Sequence, residues 1–238
     1  MEVVVHHGFV IVIRRASLEI YGIPPLPDSD TIIFPVAQHN WQRLDTVTVA
    51  PQALRRGNRP SALGILIRFA SGLPWVSFPF ATFTAHIDVF LQPVNLLHYF
   101  ILCPNQAFDA CRPVDQTNVP YEVAPKIRRT IGSPIRLFTP YHMVMGNRGT
   151  AIWIDTHTED YFGRSGRGQR LAAILIATSE AEDHLDEVSE EDYIVPTMDV
   201  SVFGVCEEDN WTRVAVHEEE GRVAIGSIDG TVTILEYA

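Results

Sequence analysis

GRVAIGSIDGTVTILEY, residues 221–237, alternates apolar side chains with small or polar ones on both sides of Asp229-Gly230. Val223 and Ile225 precede that turn and Val232 and Ile234 follow it, the pattern of two antiparallel strands joined tightly. An isolated hairpin is only marginally stable in water, so this one requires a larger sheet built from earlier parts of the chain. The beginning of the chain repeats it. Gly8-Phe-Val-Ile-Val-Ile, a turn near Arg15-Ala16, and Ser17-Leu-Glu-Ile-Tyr21 show the same order of Gly, strand, turn, strand and closing Tyr. The first half recurs at Gly149-Thr-Ala-Ile-Trp-Ile154. Self-similarity of this kind marks a repeat architecture whose units bury their faces against neighbours.

Between these anchors, strand patterns fall at Thr31–Phe34, Asp45–Val49, Leu63–Phe69, Trp75–Phe78, Thr82–Leu91, Asn95–Leu102, Ile135–Thr139, His142–Met145, Thr150–Asp155, Leu171–Ala177, Val200–Cys206 and Trp211–His217. With the two hairpins that makes about sixteen strands, roughly four blades at four strands each, whereas a blade length of ~40–45 residues gives about five. The expectation is a single all-β repeat domain over 1–238: a degenerate WD-like β-propeller of four to five blades, complete or not. A β-sandwich or open barrel is the alternative. The likeness of the two ends favours the propeller, although the Trp-Asp and Gly-His dipeptides of the WD consensus are absent. Flexible loops are expected near 104–125, which is polar with several prolines, and near 179–192, which is acidic with few apolar residues.

The 238 residues are 46% hydrophobic and carry a formal charge of −11, enough apolar content for a full core and a balance that disfavours nucleic acid and anionic membrane as partners. Eight acids lie between Glu180 and Asp192 with no Lys or Arg among them, so the imbalance is largely local. Cys103, Cys111 and Cys206 are odd in number and lack Cys-x-x-Cys spacing, which points to reduced thiols. The apolar opening has no basic segment before it and is broken by His6-His7-Gly8, so neither a signal peptide nor a spanning helix is expected. The chain reads as intracellular, cytoplasmic or nuclear.

Asp155, His157 and Glu159 stand at alternate positions, which on a strand project from one face and are metal-ligating types. They are weak candidates, because no second cluster supplies further ligands. No cofactor is expected. Gly163–Arg170 (GRSGRGQR) combines glycines with Arg164, Arg167 and Arg170, a composition that can receive an anion or an acidic peptide. It lacks the strand, helix and Lys-Ser/Thr context of phosphate loops. Ser165 is not in a nucleophile elbow. Cys103 and Cys111 flank a polar loop and read as core or loop thiols rather than nucleophiles. No catalytic residue is therefore assigned. Lys126, Arg128, Arg129 and Arg136 form a second basic patch, read as a solvated turn. Trp41, Trp75, Trp153 and Trp211 sit in or beside strands, which suits packing.

Thr130–Phe138 (TIGSPIRLF), Gly149–Leu171 and Glu207–Ala238, with weaker likeness over most of the chain including Gly8–Tyr21 and Trp41–Asp45, resemble the C-terminal, propeller-like region of F-box proteins from mushroom-forming fungi. The resemblance implies a non-enzymatic domain that selects a protein substrate or peptide for a ubiquitin ligase. Only seven residues precede Gly8, so no F-box fits there. A Skp1-type adaptor is expected as a partner only where an F-box precedes Met1. A metal-dependent hydrolase on a β scaffold and a fragment without function are the alternative expectations.

Overall fold

The structure is a computed structural model that describes residues 1–6, 8–23, 32–41, 43–52, 60–69, 96–133, 139, 141–157, 168–176 and 200–237. These residues form fifteen strands and no helix. The strands fall into four antiparallel sheets taken in chain order. Sheet 1 holds β1 (Glu2–His6), β2 (Phe9–Ile13), β3 (Ser17–Gly22) and β4 (Ala37–Asn40). Sheet 2 holds β5 (Leu44–Pro51), β6 (Leu63–Phe69), β7 (Leu96–Leu102) and β8 (Lys126–Gly132). Sheet 3 holds β9 (Met143–Met145), β10 (Thr150–His157), β11 (Gly168–Leu175) and β12 (Ser201–Cys206). Sheet 4 holds β13 (Trp211–His217), β14 (Arg222–Ser227) and β15 (Val232–Glu236). The fold is all-β, and none of the four sheets closes on itself.

The repeated glycines have a common structural place. Gly8, Gly149 and Gly221 each stand immediately before the second strand of their sheet, with φ of 79°, 90° and 62°. A residue with a Cβ is strained there, which is why glycine recurs. In each case the glycine carbonyl accepts a bond from the residue just past the third strand: Ile23, Ile176 and Tyr237. Tyr237 therefore corresponds to Ile23, and Tyr21 falls two residues short of the position that the sequence likeness gives it. The repeat holds in the backbone rather than in the closing tyrosine.

Three cores lie between consecutive sheets. Phe9, Ile11, Ile13, Leu18 and Ile20 of sheet 1 meet Leu63, Ile65, Ile67 and Phe69 of sheet 2. Leu66, Leu97, Tyr99 and Ile131 on the other face of sheet 2 meet Trp153, Ala172 and Ile174 of sheet 3. Ile152, Ile154, Leu171 and Ala173 on the far face of sheet 3 meet Val214, Val223 and Ile225. Sheets 2 and 3 are thus covered on both faces, and β6 and most of β11 are buried at every position rather than at alternate ones. Contacts between sheets also run through their first strands, β1 on β5, β5 on β9 and β9 on β13.

Two sequence expectations change. Thr31–Phe34 is not a strand where it is described, at 32–34. The strand begins at Ala37, because Pro35 has no N–H for a ladder and Val36 opens the pairing by donating to Ile20 O at 2.7 Å. The basic patch at Lys126, Arg128 and Arg129 is not a turn but β8, the last strand of sheet 2. Trp75–Phe78, Thr82–Leu91 and Arg136 lie outside the described residues, as does the acidic segment 179–192.

The 104–125 connection is tied by its own groups. Buried Asn118 accepts from Asp109 N at 2.9 Å and donates Nδ2 to the carbonyls of Asp109, Arg112 and Pro113. Buried Tyr121 donates to Ser61 O at 2.9 Å and packs edge-on against Phe9 at 5.8 Å. This compact connection covers the end of the core between sheets 1 and 2, where Val114 and Val119 pack.

Candidate functional site

Polar residues gather in one buried cluster between sheets 2 and 3. Arg68 sits near the end of β6, on the face shared with Leu66, and is 2% exposed. Asp155 lies two residues beyond Trp153 on β10, so both side chains share a face. Arg170 is directly opposite Asp155 in the β10–β11 register. Ser133 follows β8 and enters from sheet 2.

The hydrogen bonds link these groups into one network. Ser133 Oγ donates to Asp155 Oδ1 at 2.6 Å and Trp153 Nε1 donates to the same oxygen at 2.7 Å. Arg170 Nε donates to Oδ2 at 2.9 Å, with Nη2 at 2.8 Å. Arg68 donates Nη1 to Ser133 O at 2.9 Å and Nη2 to Ser133 Oγ at 2.5 Å. Burial pushes the Asp155 carboxyl up, opposed by Arg170, Ser133 and Arg68. Burial pushes Arg68 down, opposed chiefly by Asp155. For both groups desolvation is the larger effect, and the opposite charge and hydrogen bonds of the neighbours offset part of it.

The cluster reaches the surface through Tyr141. Arg68 lies 5.5 Å from the centroid of the Tyr141 ring, a cation–π approach. The Tyr141 hydroxyl donates to Asp45 Oδ2, and Thr46 Oγ1 is 3.3 Å from it. Nearby, buried His98 packs on Phe69 at 5.4 Å, with Nδ1 3.3 Å from Thr130 Oγ1. Burial, with Arg68 adding repulsion, lowers its pKa to about 4, so the ring is neutral.

Asp155 offers both oxygens to protein donors, an arrangement suited to tying sheets together. His157 lies two residues on, in β10, and Glu159 lies outside the described residues. Among the described residues, no group of three His, Cys, Asp or Glu gathers in metal-binding geometry. Of the three arginines singled out in Gly163–Arg170, Arg164 and Arg167 lie outside the described residues. Arg170 belongs to β11 and points inward to Asp155, so it anchors the base of the β10–β11 connection instead of facing solvent. Trp153 is fully buried, Trp41 and Trp211 are partly so, and Trp75 is outside the described residues. All three cysteines are free, and burial raises the Cys103 thiol.

Arg68 and Tyr141 carry no sequence motif, and Ser133 lies in TIGSPIRLF, which assigns it no role. The one usable signal was Arg68 itself, the sole charged residue in the apolar run LGILIRF. A second polar contact joins sheets 3 and 4. Glu218 receives the N–H groups of Arg148 (2.7 Å) and Thr150 (2.9 Å) from the β9–β10 turn.

Fold and cluster together define an all-β domain of stacked antiparallel sheets with a buried ionic tie. Comparison with protein-family models, curated proteins and solved structures returns no match for this chain. No helix among the described residues is long and apolar enough to cross a membrane.

Proposed function

We propose that this chain is a non-enzymatic recognition domain on a degenerate β-propeller scaffold, which presents loops to a protein substrate or peptide. The observation that carries the scaffold is the order of the sheets. Each is an antiparallel meander packed on the next in sequence, with the first strands in mutual contact. A propeller repeats that arrangement around an axis. The shared glycine position in sheets 1, 3 and 4 supports descent of the sheets from one repeat.

The use of the polar cluster supports the recognition reading. Asp155, Ser133 and Trp153 engage one another and Arg170, a set that braces sheets. Binding is then assigned to the connections, and the residues between β10 and β11 in sequence, 158–167, include Arg164 and Arg167. Arginines on a loop suit an acidic peptide. The resemblance to fungal F-box proteins suggests a substrate of a ubiquitin ligase as the partner, with a Skp1-type adaptor engaged only through an F-box upstream of Met1. The test is affinity capture with Arg164→Glu and Arg167→Glu together, leaving Arg170 intact. Loss of specific partners is expected, and an unchanged partner list removes the loop as the site.

A further inference from the structure

The last strands of the four sheets differ in how they treat their open edges. Unpaired edges invite association, and proteins blunt them with short strands, charge, proline or bulges. β4 has four residues, Ala-Gln-His-Asn, mostly polar. β8 carries Lys126, Arg128 and Arg129 and a register shift opposite Tyr99 and Phe100. β12 pairs through a shift at Leu171/Ala172. β15, Val-Thr-Ile-Leu-Glu, has no proline and no bulge and only one charge, Glu236 at its end, and its register with β14 is regular from Arg222↔Glu236 to Gly226↔Val232.

The backbone shows which groups face outward. Ser227 N bonds Thr231 O, and Tyr237 N bonds Gly221 O. Residues 231 and 237 therefore turn their peptide groups toward β14, and by antiparallel alternation so do Thr233 and Leu235. Val232, Ile234 and Glu236 turn theirs to the open edge. Their side chains are exposed as well, Val232 at 67% and Ile234 at 65%. Sheets 1 to 3 each carry a fourth strand at this place, and sheet 4 has none among the described residues.

We propose that this edge pairs with β15 of a second copy of the chain, antiparallel about a two-fold axis at Ile234. The sequence is self-complementary in that register: Ile234 meets Ile234, Thr233 meets Leu235, and Val232 meets Glu236. All outward N–H and C=O groups of the three edge residues find partners. Glu236, the only charge on the strand, falls opposite an apolar residue and not opposite its own copy, which avoids the repulsion of facing like charges. Arg222, with its Nε 3.6 Å from Glu236, keeps that carboxylate compensated at the rim. The contact is isologous and closes at two copies.

The experiment is sedimentation velocity of the 238-residue chain up to about 100 µM, a range that populates even weak interfaces, with amide hydrogen exchange at the two ends of the range. A dimer is expected, with Val232, Ile234 and Glu236 amides gaining protection as concentration rises while Thr233 and Leu235, already bonded to β14, do not change. Ile234→Pro removes one outward N–H without touching the β14 ladder, and it should weaken the dimer at least about tenfold with the far-ultraviolet spectrum retained. A chain monomeric throughout, a dimer indifferent to Ile234→Pro, or exchange at β15 independent of concentration overturns the proposal. So does a dimer broken instead by Val5→Lys on β1.

Discussion

Asp155 is a charge that would be costly to bury alone, and three hydrogen-bond donors, from Ser133, Trp153 and Arg170, with the Arg68 guanidinium nearby, make it tolerable. Breaking such a set by removing one member costs more than the set contributes, since the remaining charges stay buried. Asp155→Ala should therefore destabilise the fold by about 3–5 kcal/mol, with Arg68 and Arg170 left without their carboxylate. Guanidinium chloride unfolding measures it. A loss under about 1 kcal/mol, the range of an exposed pair, would mean that the cluster is hydrated in solution. His98 gives a second prediction at this scale. Its folded pKa of about 4 lies below the ordinary 6.5, so the unfolded chain binds a proton through that window and the folded chain does not. Stability contributed by neutral His98 is complete above pH 6.5 and declines as pH falls toward 4, by up to about 3 kcal/mol in all. His98→Gln should flatten that part of the pH–stability curve, and an unchanged slope would assign the decline to other groups. Neither residue announced its role in the sequence. Asp155 stood out as a metal candidate because alternation put it in line with His157 and Glu159, while of its real partners only Trp153 is local, and Arg170 of β11 and Ser133 past β8 have no local spacing that relates them to it.

At the scale of elements, the core between sheets 3 and 4 is supplemented by a polar contact at one turn. Glu218, just past β13, holds the β9–β10 turn by two backbone N–H groups, and Gly146 leaves the space it occupies: a Cβ at Gly146 would lie 2.0 Å from Glu218 Cδ. Hydrogen bonds to a charged acceptor contribute more than neutral ones, so Glu218→Ala should cost about 1–3 kcal/mol. Gly146→Ala should have the same sign, because the carboxylate must leave. Hydrogen exchange at β13 and β14 checks both, and the expected outcome is faster exchange there with β6 and β7 unaffected. The elements themselves were largely legible. Leu63–Phe69 and Trp211–His217 have the limits that alternation and β-branching gave them, and Gly8, Gly149 and Gly221 correctly flagged the second strands of three sheets. β8 was not legible, because Lys126, Arg128 and Arg129 lie on a last strand and obscure the apolar pattern that marks a buried one. Gly168–Arg170 read as loop for the related reason that glycine and charge signal turns, yet Gly168 approaches Cys206 O so closely that a Cβ there would lie 2.4 Å from it. Packing against β12 needs that glycine.

For the molecule as a whole, stacking in chain order means that each sheet is stabilised by its neighbours alone. Among the described residues, sheets 2 and 3 have two covered faces, whereas sheets 1 and 4 have one, and their other faces carry exposed Val3, Val5, Val232 and Ile234. Where stability is a sum of unit and nearest-neighbour terms, opening starts at the ends of the stack. Native-state hydrogen exchange, at protein concentrations low enough to keep the chain monomeric, should therefore rank the amides in three tiers. Those of β6, β7, β10 and β11 should exchange only through global unfolding, those of β2, β3, β13 and β14 through partial opening, and those of β1 and β15 most freely. Asp155→Ala would then lower the first tier to meet the second, because the ionic tie it breaks lies between sheets 2 and 3. Glu218→Ala would lower only the tier of sheet 4. Uniform protection across all four sheets would show a single cooperative unit, and would require coupling between sheets 1 and 4 that the stacked order alone does not provide.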